Sequence, residues 1–216
     1  FCTLLKTSCK YSLHMTDDGS SGSSHEVVLS LATQERLMGV CIAFMCFMAV
    51  FIVSWAMFAK YWKKYALMMP ALKADNCSRV NSTLHSIIIV PGLIYGILRM
   101  QWGENYEPLG DTTYLDKMLC ITVGYFISDT AIITAYQVPL WGLFAAHHIA
   151  ASTPYVIYLF ISPCTYGLFI LSCFMLVEFS NISLNAQSFL EQNGQGGSRY
   201  YAAAFYTTFV GWIFCR

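Results

Sequence analysis

Two adjacent histidines, His147 and His148, lie in the middle of an apolar run over 140–161. An imidazole changes protonation near physiological pH and both hydrogen-bonds and accepts protons, so the pair suits general-base chemistry or recognition of a polar headgroup. Polar groups are costly in hydrocarbon, which makes the pair a functional candidate by default. Few ionisable side chains share that apolar setting: His85, Asp129 and Glu178 are the others. Asp129 beside an imidazole would fix its tautomer, as in a general-base pair, which makes His147, His148 and Asp129 the catalytic candidates. Adjacent residues project about 100° apart on a helix, so one histidine can face a cavity while its neighbour bonds Asp129 or a hydroxyl. Glu178 and Asn185, seven residues apart, share a helix face with Ser180 close by. Arg79, His85, Ser128, Glu178, Ser180 and Asn185 are the candidate lipid or substrate contacts. No metal-ligand spacing occurs, so the set is read without a metal or a cofactor.

The elements that must position these groups follow from composition. The 216 residues are 56% apolar and only 11% charged, against about 25% charged in soluble domains. This predicts an all-α, polytopic transmembrane bundle of about six helices. Residues 1–36 read as a flexible polar tail and 37–216 as the membrane domain, with spans near 37–59, 81–98, 118–136, 140–161, 164–179 and 200–216. Pro91-Gly92 and Pro154 predict kinks. Tight turns near Val138 and Ser162-Pro163 join the third, fourth and fifth spans. Counted from the first turn, Asp129 and the histidines lie about 13 Å deep on either side. Counted from the second, the histidines and Glu178 are each about 15 residues away, so three consecutive antiparallel helices carry charged side chains at one level. Snorkelling would place such residues at helix ends instead.

Net charge is zero and the basic residues form no stripe, which argues against nucleic acid as a partner. Lys60, Lys63, Lys64, Lys73 and Arg79 follow the first span, placing that side in the cytosol and the acidic 101–117 loop outside it. The sequons at Asn76, Asn81 and Asn181 then fall on the unglycosylated side. The nine cysteines show no framework spacing, and those in apolar runs read as small hydrophobes. Starting at Phe1 and ending in an apolar run, the chain reads as a fragment truncated at its C-terminus. No signal peptide is recognisable, so the first span is expected to act as the insertion signal.

Four strings, Ser78-Arg79-Val80-Asn81-Ser82-Thr83-Leu84-His85-Ser86, Gly124-Tyr125-Phe126-Ile127-Ser128-Asp129, His147-His148, and Glu178-Phe179-Ser180 with Asn185, together resemble the TLC-domain superfamily of ceramide synthases and translocating-chain-associating membrane proteins. Their order is most similar to TLC domain-containing proteins of the fourth subfamily. The resemblance implies a six- or seven-helix domain in the endoplasmic reticulum, with the plasma membrane as the alternative, linked to lipid synthesis, sensing or transport. In ceramide synthases it further implies acyl transfer from acyl-CoA at the histidine pair. Those enzymes carry an HDxxDxxLE signature whose His and Asp positions, aligned on Glu178, fall here on apolar Ile170, Leu171 and Phe174.

Three functions follow as expectations. The first is a lipid-handling protein that binds, senses or moves membrane lipids in an intramembrane His/Asp/Glu pocket, with those lipids as its partners. The second is an acyltransferase with acyl-CoA as co-substrate and a histidine general base. The third is a structural or scaffolding bundle whose polar layer only fixes helix packing.

Overall fold

In a bilayer the backbone must bond to itself, and apolar stretches of this length do so as helices. The computed structural model describes residues 31–161 and 167–215, and no strand occurs among them. In chain order the helices are α1 (Leu31–Tyr61), α2 (Lys63–Ala66), α3 (Pro70–Arg99), α4 (Thr113–Tyr136), α5 (Trp141–Val156), α6 (Gly167–Met175), α7 (Phe179–Gln192) and α8 (Arg199–Cys215). A π-helical turn, Ile157–Ile161, extends α5, and a 3-10 turn, Leu176–Glu178, joins α6 to α7.

Among the described residues, five stretches are long and apolar enough to cross a membrane: Ala32–Tyr61, Pro70–Arg99, Thr113–Tyr136, Trp141–Ile161 and Gly167–Gln192. They support an all-α, multi-pass membrane bundle. The sequence expects about six spans, whereas α8, with 17 residues, reaches only about 26 Å against a hydrocarbon core of about 30 Å.

Several boundaries differ from the sequence reading. Residues 1–30 of the expected tail lie outside the described residues, but 31–36 belong to α1. There Arg36 Nη2 donates to Asp116 Oδ2 at 2.6 Å and Nη1 donates to the Leu159 carbonyl at 2.9 Å. Tyr158 donates to the other oxygen of Asp116 at 2.9 Å. Asp116, expected in an external loop, is therefore a buried member of α4. The second long helix starts at Pro70, a favoured first helical residue, so Lys73 and Arg79 are helical rather than part of a basic loop. Pro91 sits inside α3, and Pro154 is followed by the π turn. The fifth stretch continues to Gln192, past the expected 164–179, while the turn at Ser162-Pro163 lies outside the described residues.

α4 is the central helix and packs against α1, α3 and α5. It comes close to the α1 backbone at Gly124. A Cβ there would lie 2.6 Å from Ala43 Cβ, 2.7 Å from the Val40 carbonyl oxygen and 2.9 Å from the Phe44 nitrogen. Small residues let membrane helices meet backbone to backbone in this way. Asn81 adds a bond from α3 to the Phe47 carbonyl of α1 at 3.1 Å. Asn76 and Asn81 are fully buried, which leaves neither sequon open to a glycan in the folded chain. Trp55 and Phe58 at the end of the first span cluster with Trp62 and Tyr65 beyond it, where α1 turns into α2. Burial there pushes the Tyr65 phenol well above its ordinary range, and its hydrogen bond with Cys77 Sγ at 3.2 Å acts in the same direction.

The α1–α4 contact yields a stability prediction. Gly124→Ala forces two backbones apart, and overpacking of this kind costs about 1–3 kcal/mol. The melting point of the detergent-solubilised chain should fall for Gly124→Ala. Gly142→Ala, whose Cβ would meet no atom within 4 Å, should leave it unchanged or higher.

Candidate functional site

The site is built where α3, α4, α5 and the α6–α7 junction face one another. Ser78 on α3 donates to Asp129 Oδ1 on α4 at 2.5 Å. The second oxygen of Asp129 lies 3.6 Å from His148 Nδ1 on α5, and Thr130 Oγ1 is 3.5 Å from the same nitrogen. Asp129 and His148 are both buried, so the carboxylate must find its partners within the protein. One helical position earlier, His147 is exposed on the surface of a cavity. The pair therefore divides: His148 toward Asp129 and His147 toward the open space.

Glu178 meets a different partner from the one the single polar layer suggests. Its Oε2 lies 3.3 Å from His85 Nδ1 of α3 and accepts a bond from Asn181 at 2.8 Å. The His85 contact is out of line for a hydrogen bond, which leaves Nδ1 without a hydrogen-bond partner among the described residues. His85 is fully buried; its Nε2 is 3.3 Å from Thr122 Oγ1, and its ring stacks on Tyr125 with centroids 4.1 Å apart. The Tyr125 ring is also 6.3 Å from that of His148. The expected layer is thus two acid–imidazole pairs, Asp129–His148 and Glu178–His85, separated by Tyr125.

A cavity of about 660 Å³ lies against this arrangement. Arg79, Asp129, His147, His148, Glu178, Ser180 and Asn185 all line it, whereas His85 and Ser128 do not. His85 instead sits behind Tyr125 and beside Glu178. Ser128 is buried and donates to the Tyr125 carbonyl of its own helix at 2.8 Å, so it stays off the wall. Ser180 likewise donates to the Val177 carbonyl at 2.8 Å. Asn185 bridges α7 to α3, donating to the Arg79 carbonyl at 3.2 Å and to Thr83 Oγ1 at 3.0 Å. Among the described residues no three His, Cys, Asp or Glu side chains group as metal ligands.

Sequence reasoning left Asp75, Ser78, Ser82, Tyr125, Asn181 and Trp212 off the candidate list, although Ser78, Ser82 and Tyr125 fall within the strings that carry the family resemblance. Asp75 was findable: it lies four residues before Arg79, and its Oδ2 accepts from Arg79 Nε at 3.0 Å. Ser78 carried no such signal, because a serine in a helix more often bonds its own backbone. The remaining wall is apolar. Leu143, Phe144, Ala150 and Ala151 of α5 face Leu171, Phe174 and Met175 of α6. α5 packs mainly on α4 and meets α6 through Tyr155, whose hydroxyl donates to the Leu171 carbonyl at 3.4 Å, with both residues on the cavity wall.

One comparison bears on this geometry: the model of the TLC domain matches residues 75–216. The chain belongs to the TLC-domain family. The matched segment contains all the candidate site residues and begins at Asp75, at the cavity's polar end. Neither a curated protein nor a solved structure shows significant similarity to the chain. Within this TLC domain, apolar Leu171 and Phe174 stand on the cavity wall.

The Ser78–Asp129 bond gives a second prediction. Ser78→Ala strips the donor from a buried carboxylate and should lower stability by about 1–3 kcal/mol. Ser128→Ala removes only a bond to a carbonyl of its own helix, at a cost of under about 1 kcal/mol. Unfolding of the two variants, compared in one detergent, measures the difference.

Proposed function

We propose that the chain binds a membrane lipid in the cavity between α5 and α6, with the acyl chain on the apolar wall and the headgroup against the polar residues. The cavity itself carries the reading. At about 660 Å³ it falls in the usual range for ligand sites, about 300–1,000 Å³. Its apolar wall leads to a polar end formed by Asp75, Arg79, His147, Asn181 and Asn185. A lipid matches that division between apolar and polar parts. His147 offers an unburied imidazole to the headgroup, and Arg79, positioned by its ion pair with Asp75 through Nε, offers guanidinium N–H donors. His85 acts on Glu178 and Tyr125 rather than on the ligand.

The family and the membrane bundle support a lipid-related role. The four strings further support a place in the fourth TLC subfamily and residence in the endoplasmic reticulum. Lys60, Lys63, Lys64 and Lys73 gather at the end of the bundle where α1 finishes and α3 starts, which supports a cytosolic position for that end. The headgroup end of the cavity then faces the cytosolic leaflet, and lipid homeostasis, through binding, sensing or transport, is the process it serves.

Native mass spectrometry of the purified chain tests this reading. Wild type should retain lipid, and His147→Ala, which lacks one headgroup contact, should weaken retention about tenfold. Ala151→Trp, which fills the cavity, should abolish it. Unchanged retention in both folded variants would overturn the proposal in favour of a structural polar layer.

A second reading rests on the Ser78–Asp129–His148 series. Asp129 facing His148 Nδ1 orients the ring as a general base, with Nε2 left to take a proton from an amine or hydroxyl attacking acyl-CoA. This reading expects labelled acyl transfer to an acceptor that His148→Ala abolishes. Absence of transfer across amine and hydroxyl acceptors would leave lipid binding alone.

A further inference from the structure

A second cavity, of about 790 Å³, lies between α1, α3 and α4 near the start of α1, at the opposite end of the bundle from His147. Its rim carries Glu35, Arg36, Asp116 and Lys117. The two central charges neutralise one another, because Arg36 Nη2 and Asp116 Oδ2 are 2.6 Å apart. The outer two, Glu35 and Lys117, stay exposed with opposite signs. Below the rim the wall is apolar, with Met38, Ile42, Val50, Leu84, Ile88 and Ile121. From Glu35 to Val50 the helix advances about 22 Å, more than the depth of one leaflet, half of a hydrocarbon core of about 30 Å.

We propose that this groove binds a zwitterionic phospholipid from the leaflet opposite the His147 cavity. The phosphate sits at Lys117 and the ammonium of the headgroup at Glu35, each a charge-assisted contact near the membrane surface. An acyl chain runs down α1 along Met38 and Ile42 to Val50. An anionic lipid would meet only one favourable charge on this rim, and an uncharged diacylglycerol neither. The Arg36–Asp116 pair keeps α1 and α4 together between the two headgroup contacts. At the floor, Phe47 lines the groove and packs its ring edge on Tyr125, with centroids 5.3 Å apart, and on His85 at 6.1 Å. The lipid therefore braces the far side of the wall on which the His85–Glu178 pair rests. The proposal stands whatever occupies the His147 cavity.

The test uses the full chain in detergent with a phosphatidylcholine whose acyl chain carries a photoreactive diazirine, followed by peptide mapping. Label should fall on peptides covering 32–50 and 112–121, and unlabelled phosphatidylcholine should compete for it better than phosphatidylglycerol or diacylglycerol. Ile42→Trp, at an exposed position, fills the groove and should remove this label while elution volume and helix content stay unchanged. Should that variant fold poorly, Met38→Trp makes the same test. Lys117→Gln should weaken phosphatidylcholine competition about fivefold, consistent with loss of one charge-assisted contact. Glu35→Gln should let phosphatidylglycerol compete as well as phosphatidylcholine. Label spread along α1 and indifferent to Ile42→Trp would overturn the proposal, as would equal competition by diacylglycerol. Crosslinking of the groove peptides to residues 1–30 of the chain instead of lipid would also overturn it.

Discussion

A carboxylate placed within a membrane bundle must be neutralised or supplied with donors, and Asp129 shows what that demand does to a fold. Its two oxygens turn toward two different helices, one accepting from Ser78 of α3 and the other facing His148 of α5. Satisfying both fixes the rotation of α3 and α5 about α4, because a turn of either helix by one residue, about 100°, would break its contact. The division of labour between the histidines follows. With His148 committed to Asp129, His147 is left facing the cavity. Removing one partner of such a buried group costs more than the bond itself contributes.

The rest of the site hangs from that arrangement. Tyr125, one helical turn before Asp129, stacks on His85 and so separates the two acid–imidazole pairs. Glu178 enters from the 3-10 turn between α6 and α7, where the change of helical pitch coincides with the polar end of the cavity. α5 leans on α4 and faces α6 across a cavity lined by Leu143, Phe144, Leu171 and Phe174. A polar end built from α3, α4 and α7 beside an apolar wall is the arrangement on which the proposed lipid site rests.

Much of this is legible in the sequence. The all-α membrane class follows from the charge deficit, and the meeting of Asp129 with the histidine pair follows from counting along helices from the Val138 turn. Depth, however, is only one coordinate. Counting residues puts Glu178 at the histidine level but gives no azimuth, so it missed that Glu178 faces His85 and that Ser128 turns away from the cavity. Helix ends were obscured for a related reason. Polar residues such as Lys73, Arg79 and Asp116 break an apolar run without ending a helix, and Arg36, assigned to a tail, is the partner that lets Asp116 be buried. Long-range pairs of this kind leave no periodic trace.

Occupancy of the cavity is the most direct test of the account. Trp212 of α8 lines it, so a variant keeping Trp212 and carrying Phe at positions 55, 62, 102 and 141 reports on it by fluorescence. Titration with a phospholipid brominated on its acyl chain should quench Trp212 saturably, and Ala151→Trp in the unbrominated control should add emission without any change in fold. His147→Ala should shift the saturation midpoint about tenfold upward. Quenching that rises linearly with lipid and is identical with and without His147 would contradict a lipid site between α5 and α6.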